Sequence, residues 1–142
     1  VFVAASNGGG RSGAEANALA LEAVELAGMS KLANRKAASL GLMDRKRLEL
    51  ARALGVAPTV LLLDEIAGGL TDAEANELVE TIAALKAKGI TIVWIEHIVH
   101  ALLKIADRLI CMDAGKVIAD GAPQAVMADP TVVSAYLGGS AH

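Results

Sequence analysis

The chain has 142 residues, 54% of them hydrophobic, a formal net charge of −3 and a mean hydropathy of +0.49. That length makes one domain or part of one and is enough to bury a core. The acidic balance, the lack of a long basic run and the presence of only three aromatics (Phe2, Trp94, Tyr136) argue against a nucleic-acid-binding surface. No apolar run nears the roughly 18 residues of a membrane-spanning helix. Val1 to Ala5 is too short for a signal peptide and lacks a basic leader. The single cysteine, Cys111, leaves no internal disulfide and fits a reducing compartment. The apolar excess is therefore expected in buried parallel strands or in a surface that meets a partner.

In chain order, Val1 to Ala5 reads as a short strand or the end of a helix, and Asn7 to Gly10 as a flexible loop. Ser12-Gly13-Ala14-Glu15 has the form of a capping box, and the helix it opens is expected to stop at Gly28. A short helical piece is expected over Lys31 to Ala38, and a loop over Ser39 to Met43. Asp44 then leads a helix to Leu54, with a carboxylate well placed against the helix dipole. Val60-Leu61-Leu62-Leu63 reads as a strand buried on both faces, ending in Asp64-Glu65. Thr71-Asp72-Ala73-Glu74 is a second capping box, opening a helix that puts Leu78, Val79, Ile82 and Leu85 on one face and ends before Gly89. Ile90 to Ile95 is a second buried strand, ending at Glu96-His97. A helix over Val99 to Ala106, a hairpin around Asp113-Ala114-Gly115, and short helices opened by Pro123 and Pro130 complete the chain. Helices dominate the first third, and β and α elements alternate afterwards.

One motif is a decoy. Gly8-Gly9-Gly10-Arg11-Ser12-Gly13 matches G-x-G-x-x-G, the dinucleotide fingerprint. That fingerprint needs a second strand ending in an acidic residue about 20 residues on. Position 33 is Ala33, set in a segment that does not read as a strand, so the glycines read as a surface loop. Asp64-Glu65 carries more. At the C-terminal end of a parallel strand, where open α/β sheets bind ligands, two carboxylates can hold Mg²⁺ and activate a water beside a phosphate; equally, they can simply cap a strand end.

The neighbouring segments, in order, turn this into a family resemblance. Val60 to Glu65 resembles the Walker B motif of the ATP-binding-cassette (ABC) ATPases. Leu40 to Leu54 resembles their signature loop and its helix. Ala51-Arg52-Ala53-Leu54 matches the helix, whereas Gly41, Leu42, Met43 and Asp44 replace the Ser-Gly-Gly-Gln of the commonest loop. Gly68-Gly69-Leu70-Thr71 falls where the D-loop would be, Ile92 to His97 resembles the strand with its switch histidine, and Ala106 to Val117 the closing hairpin. Asp44 with its basic cluster, the Ile-Glu-His run and Asp-Glu-x-Ala-Gly-Gly-Leu-Thr resemble the ATPase subunits of branched-chain amino acid importers. Ile66 stands where those subunits usually carry proline. No G-x-x-x-x-G-K-[ST] loop occurs: Gly115-Lys116, the only Gly-Lys, is followed by Val117 and has Ile110 where the first glycine should be.

The resemblance implies an α/β fold, the C-terminal part of a P-loop NTPase (RecA-like) domain. A helical-subdomain segment over 1–56 would precede parallel strands, helices and a hairpin over 57–142. It implies an ATP-hydrolysing importer subunit at the cytoplasmic face of a bacterial inner membrane. Asp64 would hold Mg²⁺, Glu65 would act as general base, and His97 would contact and sense the γ-phosphate. Gly41, Leu42, Met43 and Asp44 would touch ATP bound by the opposite subunit, with Thr71 in the dimer-facing loop. The partners would be a second ATPase subunit and transmembrane permease subunits. Without the phosphate loop, ATP is expected to bind this chain weakly or not at all, and apolar strand faces left open are expected to promote self-association. The alternative is a non-catalytic dimerisation or assembly module of the same fold. His100 and His142 read as surface residues.

Overall fold

The computed structural model describes residues 1–137, in two compact units, 1–98 and 99 onward. His142 lies outside the described residues.

In the first unit, Val1 to Ala5 is helical rather than extended and runs into a π-type turn over Ala4–Gly8. Among the described residues the segment leading into the triple glycine is helical and not a strand, which does not match the dinucleotide fingerprint. The turn sits tightly on the end of a later helix. A Cβ on Gly8 would come within 2.6 Å of Val56 Cγ1, and one on Gly55 within 3.2 Å of the Val1 carbonyl oxygen. Helix α1 spans Gly13–Leu26, and its Ala16 and Ala20 form a small-residue cluster with Ala5. The expected capping box at Ser12 is not made, because the Ser12 side chain forms no capping hydrogen bond. Gly13, the first residue of the helix, sits at φ 57°. The other end behaves as expected. Gly28 at φ 71° lets its own N–H reach Glu25 O at 2.8 Å and that of Met29 reach Val24 O at 2.9 Å. This is the Schellman pair, which satisfies two otherwise orphaned carbonyls.

Two 3₁₀ turns, Ser30–Leu32 and Ala37–Ser39, replace the expected helical piece over Lys31 to Ala38. Helix α2, Leu42–Leu54, begins two residues before Asp44, with Gly41 at its N-cap and Asp44 inside its first turn. Arg47 ties three elements. Its guanidinium pairs with Glu77 of the next helix at 2.9 Å and passes 3.8 Å from where a Gly28 side chain would begin.

Strands β1 (Val60–Asp64) and β2 (Thr91–Ile95) pair in parallel, Val60 opposite Thr91 and Asp64 opposite Ile95. Between them runs helix α3, Asp72–Ala87. Its capping box is complete: Thr71 Oγ1 accepts the Glu74 N–H at 3.3 Å, and Glu74 Oε2 accepts the Thr71 N–H at 2.9 Å. Leu78, Val79, Ile82 and Leu85 are buried along one face, as their spacing requires. The expectation of strands buried on both faces is corrected. Leu61 and Leu63 are buried, whereas Val60, Leu62, Val93 and Ile95, which share the opposite face, are exposed. One face of the pair is covered and the other is open, and side chains alternate along a strand, so burial alternates too.

In the second unit, helix α4 is Val99–Leu103, shorter than expected because the N–H groups of both Ile105 and Ala106 turn back to Leu102 O. Strands β3 (Leu109–Asp113) and β4 (Lys116–Gly121) form the expected antiparallel hairpin. Ala114 and Gly115, both at positive φ (46° and 76°), make its two-residue turn, the geometry that matches strand twist. Arg108 clamps Asp120 through two hydrogen bonds of 2.7 and 2.6 Å. Helices α5 (Pro123–Met127) and α6 (Pro130–Val132) each start on their proline, and a π-type turn, Val133–Leu137, comes after them. Among the described residues no helix is long and apolar enough to cross a membrane.

Candidate active site

The parallel pairing brings the carboxyl ends of β1 and β2 side by side, so the residues just past each strand meet. Asp64 is the exposed last residue of β1. Glu65 leaves the strand at φ 45°, a conformation unusual for a residue with a side chain, and its N–H is held by Ile95 O at 2.9 Å. A turn closes behind it, with the Gly68 N–H on Glu65 O at 3.1 Å. Past β2, His97 Nδ1 lies 3.6 Å from Glu65 Oε1. Both side chains are about two-thirds exposed, at 65% and 63%, so a ligand can reach them. His97 Nδ1 is also 3.7 Å from Glu96 Oε2, and the Glu96 side chain is completely buried. Its Oε1 accepts the Ala67 N–H at 3.1 Å, which stitches the turn after β1 to the end of β2.

His97 thus faces Glu65 and Glu96 past the strand ends, and Asp64 closes β1 one residue before Glu65. The exposed carboxylates fit Mg²⁺ and not a caged metal. Among the described residues no three of His, Cys, Asp and Glu gather as a metal cluster. Mg²⁺ instead takes one or two carboxylates and fills its shell with water and substrate phosphate. Asp64, exposed beside a groove that α2 lines with Glu49 and Leu50, can supply one such carboxylate.

The signature-like segment lies elsewhere on the unit. Gly41 and Leu42 are exposed, Asp44 is half-buried, and Met43 is buried with its side chain directed inward. Gly69, at φ 79°, comes so close that a Cβ there would lie 3.2 Å from Leu42 Cδ2. The structure therefore joins Gly41–Asp44 to the loop before Thr71. The Thr71 hydroxyl is engaged within the chain, donating to Glu74 Oε2 at 2.8 Å. These bonds, the backbone one foremost, hold the Glu74 carboxyl below its ordinary pKa. Glu96 is the site residue that sequence reasoning misses. The available signal is that β2, like β1, leads directly into a carboxylate.

Comparison with known proteins shows what the chain resembles in sequence and fold. The family described as branched-chain amino acid ATP-binding cassette transporter matches residues 116–142. The high-affinity branched-chain amino acid transport ATP-binding protein BraF of Pseudomonas aeruginosa is 36% identical over 129 residues, which cover 90% of this chain and 51% of that protein. LivG of Escherichia coli, of the same description, is 40% identical over 116 residues, 81% of this chain and 46% of that protein. The chain spans about half the length of the curated relatives it matches. Among solved structures, the ADP conformation of MJ1267, an ATP-binding cassette of an ABC transporter, superposes with a TM-score of 0.81 at 33% identity, over 90% of this chain and 52% of that one. The cbiO1 subunit from Clostridium perfringens shares the fold, at a TM-score of 0.80.

The fold is that of the ABC ATPase domains, a P-loop NTPase architecture. In sequence the chain is similar to ATP-binding proteins of ABC transporters, those of branched-chain amino acid transport among them.

Proposed function

We propose that the chain carries the hydrolytic half of an ATP site in an importer of branched-chain amino acids. It would work at the cytoplasmic face of a bacterial inner membrane with a second ATPase subunit and transmembrane permease subunits. The observation that carries this reading is the approach of Glu65 and His97, 3.6 Å apart at the adjoining ends of two parallel strands. Asp64 is the residue that would hold Mg²⁺, which when bound neutralises phosphate charge. Glu65, exposed and carried clear of the strand by its positive φ, accepts a proton from the attacking water. His97 offers a ring nitrogen to the γ-phosphate and registers its departure. Gly41 to Asp44 present the N-terminal end of α2 to nucleotide on the opposite subunit, through backbone groups, since Met43 is turned inward. Thr71 shapes the adjoining dimer-facing loop by capping α3.

By this reading the 142-residue chain holds the residues that act on the phosphate and not the loop that cradles it. Calorimetry of the chain with ATP and Mg²⁺ is expected to show no saturable binding. Tight one-to-one binding would mean that another segment supplies the cradle. In the complete subunit, Glu65→Gln is expected to lower ATP turnover by about 10²-fold or more while ATP binding persists, the signature of a lost general base. Turnover within a few-fold of wild type would remove Glu65 from that role.

A further inference from the structure

Glu96 has no part in the chemistry assigned to Asp64, Glu65 and His97, and its surroundings are unusual. Its side chain is 0% exposed, which is costly for a carboxylate unless both oxygens find partners. Oε1 has one, the Ala67 N–H at 3.1 Å. Oε2 is buried with no hydrogen-bond partner and faces His97 Nδ1 at 3.7 Å, just outside bonding reach. Glu65 Oε1 faces the same nitrogen at 3.6 Å, but from a side chain that is 63% exposed and that water can satisfy. Of the two carboxylates flanking the imidazole, only Glu96 lacks that recourse.

We propose that Glu96 is a positioning residue: one oxygen holds the Ala67 N–H and the other takes the Nδ1–H of His97. The imidazole and the turn after Glu65 are then one mechanical piece. This inference rests on reading Glu65 and His97 as the pair that acts on phosphate and water. The demand of a buried oxygen selects the Nδ1–H tautomer and leaves Nε2 for the ligand, as a carboxylate behind a histidine commonly does. Closing 3.7 Å to a hydrogen bond needs only a small tilt of the exposed ring, and such contacts are often long before a ligand arrives. With Nδ1–H committed to Glu96, the Glu65 carboxylate is not drawn onto the imidazole and remains available to water.

The test uses the 142-residue chain labelled with ¹⁵N-histidine, at a pH where the ring is neutral, with NMR reporting the tautomer of His97 and exchange reporting the Ala67 amide. Wild type is expected in the Nδ1–H form. Glu96→Gln keeps the shape of the side chain. Its carbonyl oxygen must face the Ala67 donor, so its NH₂ faces His97 and Nδ1 becomes the acceptor. His97 is then expected to switch to the Nε2–H form while Ala67 exchange is unchanged. Glu96→Ala is expected to speed Ala67 exchange by roughly tenfold or more, as loss of a local hydrogen bond does. His100 serves as an unperturbed reference in each spectrum. A Glu96→Gln chain in which His97 keeps the wild-type tautomer overturns the proposal. That failure is distinct from failure of the catalytic reading, which would appear as His97→Ala leaving ATP turnover of the complete subunit unchanged.

Discussion

Asp64, Glu65 and His97 are candidates from the sequence because each follows an apolar run that reads as a strand, and the parallel pairing of those strands brings Glu65 and His97 to adjoining ends. What could not be read was the environment. That Glu65 takes a left-handed backbone, that Met43 turns inward, and that Glu96 is buried while its neighbour His97 is exposed all depend on contacts between elements distant in sequence. The clearest charge pair outside the site is Arg108 with Asp120. The hydrogen bonds from Arg108 lower the Asp120 pKa and, from the other side, raise that of Arg108. A carboxylate whose folded pKa is depressed contributes stability above its unfolded value, and that contribution is lost as pH falls through the folded value. Thermal unfolding of Asp120→Asn against wild type is therefore expected to show a gap at neutral pH that closes under strongly acid conditions. The pair is solvent-exposed, so the gap should be small and should shrink with added salt.

At the scale of elements, two capping boxes looked equivalent in the sequence and only one forms. Thr71 and Glu74 satisfy each other, whereas Ser12 makes no capping hydrogen bond and the first residue of its helix, Gly13, sits at φ 57°. Thr71→Ala is expected to cost about 1 kcal/mol, Thr71→Ser much less, and Ser12→Ala close to nothing, all readable as shifts in the urea midpoint. An equal loss at Ser12 and Thr71 would contradict the assignment. The apolar face of α3 gives the larger effect. Leu78 is 0% exposed, and Leu78→Ala is expected to cost about 2–5 kcal/mol. The face was legible because helical spacing alone decides which residues share it. The 3₁₀ turns at Ser30–Leu32 and Ala37–Ser39 were not, because a run of average helix formers without a buried stripe carries no tertiary signal.

At the scale of the whole molecule, the β1–β2 pair presents an apolar face to solvent, with Leu62 73% and Ile95 64% exposed. Two strands do not make an independently stable sheet, and such a face with open edges invites association. Light scattering is expected to show a mass that rises with concentration for the 142-residue chain, and a monomer for the double substitution Leu62→Lys with Ile95→Lys. A wild-type chain that stays monomeric at its highest soluble concentration would rule this out. The sequence by itself determined the order of elements, the family resemblance and the residues at the ends of the strands, because periodicity, caps and strand-end carboxylates are local in the chain. Only the tertiary structure decided which strand face is covered, which capping box closes, and that Glu96 lies buried between a backbone amide and an imidazole. Burial and hydrogen-bond partnership belong to pairs of segments, and no local pattern encodes them.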